Sequence, residues 1–346
     1  MRKLASVQKI LSIKAIPNAD AIEVATVLGW EVVVKKGLHK VGELVAYFEI
    51  DSMLPKHPAF EFLGESSWKE KEQAYRLKTV KLRGQISQGL IMPLSYFADM
   101  VDFSSLNEGF ELTEIFGIFK YEPPIPAELS GDAKSFSWPI TKSDETRIQT
   151  IPHILDVLKG KPYYISSKLD GTSSSFMIDL NDEYQVCGHN YSFKEKEGNT
   201  FWKLSKQYGI KEILENEFNS TGIRYALQGE TVGPGIQKNK LNLSTHDVYF
   251  FNLVDVNRHK VLSVNELVSF CEKYHLKTVP IIEAGIDFNY SFEAILKRAD
   301  GFYKEDGFEN ANPKQKREGI VIRSIDSEIS FKVISNAFLL EDKNDE

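Results

Sequence analysis

Short strand-like runs fill two blocks of this chain, residues 1 to about 97 and residues 141 to 346, and that β-rich pattern is what most limits its fold. In the first block ASVQKILSIKAI, AIEVATVLGWEVVVKKG and ELVAYFEID alternate apolar and polar positions, with Pro17, Asn18, Gly29, Gly37 and Gly42 between them. A period of two sends successive side chains to opposite faces, so each run can bury one face and wet the other. Strands at roughly ten-residue spacing predict a small all-β barrel.

In the second block PYYISSKL, SSFMIDL, EYQVCGHN, YALQGETVG, VYFFNLVDV and EGIVIRS alternate with helical stretches, which predicts an α+β domain of antiparallel sheets and helices. Ser263 and Glu266 form a capping box at the head of one helix, whose apolar stripe places Cys271 in the core. Between the blocks, residues 98–140 lose periodicity, and KYEPPIPAELSGDAKSFSWP gathers Pro, Gly, Ser and Asp as a connecting segment does. The expected domains are therefore 1–97, a connection over 98–140, and 141–346. The polar tail after Leu340 is expected to fray.

Composition removes several classes. The two cysteines, Cys187 and Cys271, form no CxxC pair, which excludes a disulfide framework and a thiolate zinc site and fits an intracellular setting. No apolar stretch is long enough for a signal peptide or a membrane span. With a net charge of -7, any contact with nucleic acid must use a local basic surface. P-loop, GxGxxG, HExxH and GxSxG patterns are missing.

The size of the first block suits an OB-fold. PNADAIEVATV, then KVGELVAYFEIDSMLP, then VKLRGQISQGL resemble the OB modules that bind tRNA in synthetase-associated proteins, including their Arg-Gly-x-x-Ser-x-Gly turn, here Arg83 to Gly89. Arg76, Lys78, Lys81 and Arg83 follow a near period of two, so on one strand several would share a face and meet successive RNA phosphates. The same residues also describe a solvated strand face closed by a Gly-rich hairpin.

Lys168-Leu-Asp-Gly171 ends the run PYYISSK and opens into small residues, a place where a rigid strand can present a reactive side chain to a pocket. A lysine is a nucleophile only once its ammonium loses a proton, and a nearby acid or metal can organise that loss. The same four letters also describe a strand-ending lysine followed by an Asp-Gly turn. Downstream of this turn the chain carries, in order, Glu230 in YALQGETVG, Phe251 in VYFFNLVDV, Glu318 in REGIVIRS and Lys332 in SFKVIS. This order resembles the covalent nucleotidyltransferases, the superfamily of polynucleotide ligases and mRNA capping enzymes, over residues 140 to 340. Upstream, SDETRIQ at 143–149 is similar to the segment that precedes the nucleophile strand in RNA ligases.

The resemblance implies roles. Lys168 attacks the α-phosphorus of ATP, Asp170, Glu230 and Glu318 serve a hydrated Mg²⁺ or Mn²⁺ directly or through its waters, and Lys332 stabilises the α-phosphate. Asp170 and Lys332 join Lys168 as catalytic groups, Arg147 meets nucleotide phosphates, and Phe251 rather than Phe250 stacks on adenine. Many relatives end on Lys-x-Lys, where this chain has Ser330-Phe331-Lys332-Val333-Ile334 and so only one of the two lysines, and its Cys187-Gly188-His189-Asn190 stands where relatives often carry an arginine; His189 and Asn190 stay as candidates for nucleotide contact. With the β module in front, the order resembles ATP-dependent RNA ligases with an N-terminal OB domain. That implies a monomer joining 3'-OH and 5'-phosphate RNA ends in a nicked duplex, through lysyl-AMP and AMP-RNA. The other readings are a GTP-using capping-type guanylyltransferase, and a tRNA- or RNA-binding protein with an inactive nucleotidyltransferase domain.

Overall fold

Strand Ala5–Ala15 shifts register between Ile10 and Ser12, so its first half pairs with Leu44–Phe48 and its second half with Ile22–Val27. That bend curls one antiparallel sheet, ordered Leu90–Pro93, Leu44–Phe48, Ala5–Ala15, Ile22–Val27, Trp30–Lys35. Its two edges approach through bonds from the Val33 N–H to Ser87 Oγ at 2.9 Å and from the Gln88 N–H to the Glu31 carbonyl at 2.8 Å. Trp30, Val45, Tyr47 and Ile91 fill the interior of this OB-type unit. This is a computed structural model, describing residues 3–104, 106–121, 133–135, 140 and 143–341. The chain divides into two units, Met1–Pro124 with Ile148–Pro152 and Leu340–Glu346, and Ile125–Arg147 with His153–Leu339.

The first unit carries a second core, where Phe48, Phe60, Phe97 and Phe116 pack ring on ring beside a sheet of Phe119–Lys120, Ser52–Pro55, Ala74–Arg76 and Trp68–Lys69. Leu112, Phe116 and Ile118 belong to it although residues 98–121 read in sequence as connection. Turns rather than strands space these apolar residues, so no period announces them. Most of the remaining expected connection, 122–132 and 136–139, lies outside the described residues, as does the tail from 342.

The basic run divides between elements instead of sharing one strand face. The Arg76 guanidinium sits 3.6 Å over the Tyr121 ring and 3.9 Å from Asp51, inside its own unit. Lys78 is half-buried, while Lys81 and Arg83 are exposed on a separate hairpin, Val80–Leu82 with Gln85–Ser87. Arg83 and Gly84 form its two-residue loop with φ of 50° and 87°, the two positive angles a tight hairpin needs.

The second unit stacks chemistry between two antiparallel sheets. The larger runs 133–135, Tyr191–Phe193, Tyr184–Cys187, Thr172–Ile178, Tyr225–Val232, Asp247–Asp255, Lys260–Val261. One of its faces packs Phe176, Leu227, Phe250 and Leu253 against helices Thr200–Gln207, Ile210–Thr221 and Val264–Lys273. The last helix has the expected capping box, and Cys271 is buried in that core. The smaller sheet runs Ile281–Gly285, Tyr163–Lys168, Gly319–Ser324, Ser330–Ile334, with Ile165, Ile320, Ile322, Phe331 and Val333 buried on alternate positions. Helix Phe292–Ala299 packs on its last two strands. No helix among the described residues is long and apolar enough to cross a membrane.

In the first unit Gly89 has φ of +103°, and a Cβ there would lie 2.5 Å from the Phe48 carbonyl oxygen. Gly89→Ala is expected to cost about 2 kcal/mol or more through strain and displacement. Calorimetry should show a lower melting midpoint, and an unchanged midpoint would contradict the close approach.

Candidate active site

Strand Tyr163–Lys168 pairs on both sides, and the chain then crosses through Leu169-Asp170-Gly171 to Thr172–Ile178 in the larger sheet. The crossing is tight, because a Cβ on Gly171 would lie 2.5 Å from the Thr231 carbonyl oxygen and 2.9 Å from Glu230 Cγ. The glycine thus lets the crossing press against the strand that carries Glu230, with Ser173 opposite Glu230 in register. From Lys168 the smaller sheet presents rows of paired residues toward the larger one. Lys168 stands opposite Gly319, Ser166 opposite Val321, which itself faces Lys332, and Tyr164 opposite Arg323, which faces Ser330. A cavity between the sheets is lined by Ser166, Lys168, Val321, Arg323 and Lys332 from one side and Ser173, Glu230 and Phe251 from the other.

Phe251 reaches that cavity by strand alternation, sharing a face with Tyr249 while Val248 and Phe250 point to the helix layer. Gln228 pairs with Asn252 and Gly229 with Phe250, a bulge that leaves Phe251 without a cross-strand partner on Tyr225–Val232 and returns Leu253 to the helix side. Phe250 is fully buried in the helix-side core.

The charges are arranged around Lys168. Its Nζ lies 2.7 Å from Glu318 Oε2. Burial opposes its ammonium, but Glu318, Glu230 and Asp170 outweigh burial and hold Lys168 above the ordinary lysine range. Burial pushes Glu230 up to about 8, with Lys168 opposing and Glu318 and Asp170 reinforcing that rise. Asp170 is raised to about 6 by burial and by Glu318, against the pull of Lys240, whose Nζ lies 2.7 Å from Asp170 Oδ2. Lys332 moves the other way, down to about 8, through burial and the positive charge of Lys168.

The remaining candidates lie at varied distances from this centre. Arg147 forms an isolated parallel bridge with Lys332 and adds repulsion to its ammonium, without lining the cavity. Asp144 comes within 3.7 Å of both Lys332 Nζ and His189 Nε2, and His189 lines the cavity while Asn190 does not. Of the two residues at Lys-x-Lys spacing from Lys332, Ile334 is buried opposite Gly319 and Ser330 stands opposite Arg323. Among the described residues no three His, Cys, Asp or Glu side chains are grouped to hold a metal ion directly. Hard carboxylate oxygens with raised proton affinity still fit a divalent cation that keeps its water shell.

Several supporting residues carry no sequence signal. The Tyr303 hydroxyl accepts from the Asp170 N–H at 2.9 Å and the Glu318 N–H at 3.1 Å, and donates to the Lys168 carbonyl at 3.1 Å. Ser167 donates to Asp306 Oδ2 at 2.7 Å, and Asp306 Oδ1 takes Arg317 Nη1 at 2.6 Å with both side chains buried. Arg317 also donates to the carbonyls of Arg298, Ala299 and Asp300 at the end of helix Phe292–Ala299. Farther along the sheet face, Arg323 Nη2 lies 2.7 Å from Glu145 Oε1 and Nη1 donates to the Phe251 carbonyl at 2.8 Å. Lys240 and Tyr303 sit in irregular loops, where neither period nor spacing marks them.

Comparison with known proteins agrees with this arrangement. An RNA ligase family matches residues 161–334, and an OB-fold domain matches residues 4–94. Among solved structures the chain is similar to Naegleria gruberi RNA ligase with pyrophosphate, and to variants of that ligase with ATP and Mn and with AMP and Mn. Each is 34% identical, with a TM-score of 0.89, covering 99% of this chain and 100% of the other. No match was found among curated proteins.

Removing the Tyr303 hydroxyl strands two buried N–H groups and a carbonyl. Tyr303→Phe is expected to destabilise the second unit by at least about 2 kcal/mol, since each unsatisfied buried group costs roughly 1–3 kcal/mol. A denaturant midpoint equal to that of the parent would contradict the clamp.

Proposed function

The chain belongs to the RNA ligase family, and from that premise we propose that it seals 3'-OH and 5'-phosphate ends of a nicked RNA duplex, as a monomer, using ATP. The observation that carries this is Lys168 Nζ, held at a strand end against Glu318 and within the field of Glu230 and Asp170. In the first step Nζ attacks the α-phosphorus of ATP and pyrophosphate leaves. The nucleophile needs a proton acceptor, and Glu318 Oε2 at 2.7 Å supplies one without any rearrangement of the backbone. Lys332, two residues along its strand from the buried Ile334, offsets charge on the α-phosphate oxygens, with Arg147 beside it in the bridge. Phe251 stacks on adenine.

Asp170, Glu230 and Glu318 would hold Mg²⁺ or Mn²⁺ through its waters. When bound, the ion would supply positive charge that offsets these carboxylates and the oxyanions of ATP. The AMP on Lys168 then passes to the RNA 5'-phosphate, and the 3'-OH displaces AMP to form the phosphodiester. Glu230 and two lysines line one cavity, with Glu318 and Asp170 acting on Lys168 at its edge, and this set favours the reading over an inactive binding protein.

Two outcomes test it. Lys168→Met should abolish covalent label from α-labelled ATP while sealing of pre-adenylylated RNA partly survives, since that step needs no lysine nucleophile; label retained on the variant would refute the assignment. The exposed hairpin is the RNA-facing part of the first unit, with Lys78 near its base. Lys81→Ala combined with Arg83→Asn, an asparagine being tolerant of the positive φ, should weaken RNA binding and flatten its salt slope by about one to two. Adenylylation should be untouched, and an unchanged salt slope would remove the hairpin from the interface.

A further inference from the structure

The proposed reaction gathers a hydrated cation among Asp170, Glu230 and Glu318, yet the chain already supplies one of these acids with a cation of its own. Lys240 Nζ lies 2.7 Å from Asp170 Oδ2, and the two side chains are only 11% and 16% exposed. On its other side the same ammonium stands 3.9 Å from the centre of the Phe338 ring. An ammonium taken this far out of water needs such partners, so Lys240 is held at Asp170 rather than sampling solvent. The proposed reaction gives it no task, since Lys168 is the nucleophile and Lys332 serves the α-phosphate.

The loop that carries Lys240 keeps it there. Gln237, Lys238 and Asn239 have φ of 44°, 60° and 49°, three successive non-glycine residues in the left-handed region, which the surrounding contacts must impose. Asn239 closes the turn, with Nδ2 donating to the Leu243 carbonyl at 2.8 Å and Oδ1 accepting from the Leu243 N–H at 3.1 Å. Leu241, the next residue after the lysine, is buried in one cluster with Tyr303 and with Leu169, which precedes Asp170. The packing that fixes Asp170 thus also fixes its partner. Glu318 has Lys168 at 2.7 Å, and Lys240 gives Asp170 a separate counter-ion. An ammonium and a hydrated divalent ion attach to a carboxylate through the same lone pairs, and each reduces the negative charge that attracts the other.

We propose that Lys240 is a tethered counter-ion of Asp170, which holds the acid in the metal-free chain and gives it up to the hydrated divalent cation. The inference rests on the metal assigned above to the three acids. Its consequence is twofold. The chain binds the ion more weakly than its acids alone would, and Lys240 contributes to the stability of the fold chiefly while no ion is bound.

The test is Mn²⁺ binding to the full chain without nucleotide, followed by the paramagnetic resonance of the free ion, in the parent and in Lys240→Met and Lys240→Arg. Methionine keeps the contact with the Phe338 ring and removes the charge, so Lys240→Met should bind Mn²⁺ at least about tenfold more tightly. Lys240→Arg keeps the charge and should stay within about twofold of the parent. In chelator Lys240→Met should melt below the parent, and saturating Mn²⁺ should raise its midpoint by more, because an ion that binds only the folded chain stabilises it the more tightly it binds. If Lys240→Met does not fold in chelator, Mn²⁺ should restore its near-ultraviolet dichroism. Equal or weaker Mn²⁺ binding by Lys240→Met would overturn the proposal, as would equal tightening in Lys240→Arg, a midpoint deficit that Mn²⁺ leaves unchanged, or a variant that stays unfolded with Mn²⁺ present. A parent and a Lys240→Met variant that both leave the ion free would instead sink the assignment of a metal to the three acids, on which the proposal rests.

Discussion

The Tyr303 hydroxyl joins the backbone at Lys168, Asp170 and Glu318, so the nucleophile and two of its acids are fixed to one another by a group that carries no charge. Burial and the nearby Glu318 and Asp170 hold that phenol well above its ordinary pKa, which keeps it neutral and able to donate and accept at once. A charged clamp in the same place would have altered the field it was meant to organise. The flanking residues Ser167 and Arg317 are tied to Asp306, so the two strand ends are secured one position before Lys168 and one before Glu318. With the main chain held this firmly, only the side-chain tips need move when substrate enters.

Two lysines share the cavity yet differ in state for plain electrostatic reasons. Lys168 has Glu318 at 2.7 Å and two further acids in range, which outweigh its burial. Lys332 has Asp144 only at 3.7 Å and is repelled by Lys168 and Arg147. On its own the chain therefore favours the ammonium of Lys168, while Lys332 is short of an anion. In the proposed reaction the triphosphate supplies what Lys332 lacks.

The strands were legible in the amino-acid sequence because they write a period of two, and the order of Lys168, Glu230, Phe251, Glu318 and Lys332 along them carried the resemblance that singled these residues out. The structure brings all five to one cavity or its edge. The curled sheet of the first unit was equally readable. What stayed hidden lies off the strand period: Tyr303, Asp306 and Lys240 in loops, and the bulge after Phe251 that returns Leu253 to the helix side. The run from Arg76 to Arg83 misled for a related reason. Its spacing approximates one strand, but the chain leaves one sheet after Arg76 and starts a separate hairpin at Val80. Spacing reports periodicity, and it does not report where one element stops.

The bonds that hold Asp170 and Lys168 to Tyr303 and Lys168 to Glu318 span separations of 133, 135 and 150 residues. Contacts so distant along the chain require large loops to close before they give any return, so they belong to the late stages of folding. A chain caught partway, with the strand Tyr163–Lys168 paired only to near neighbours in sequence, would carry the lysine without the acids that govern its proton. The charge environment of Lys168 is thus a property of the completed topology, absent from any chain in which these strands have not yet met.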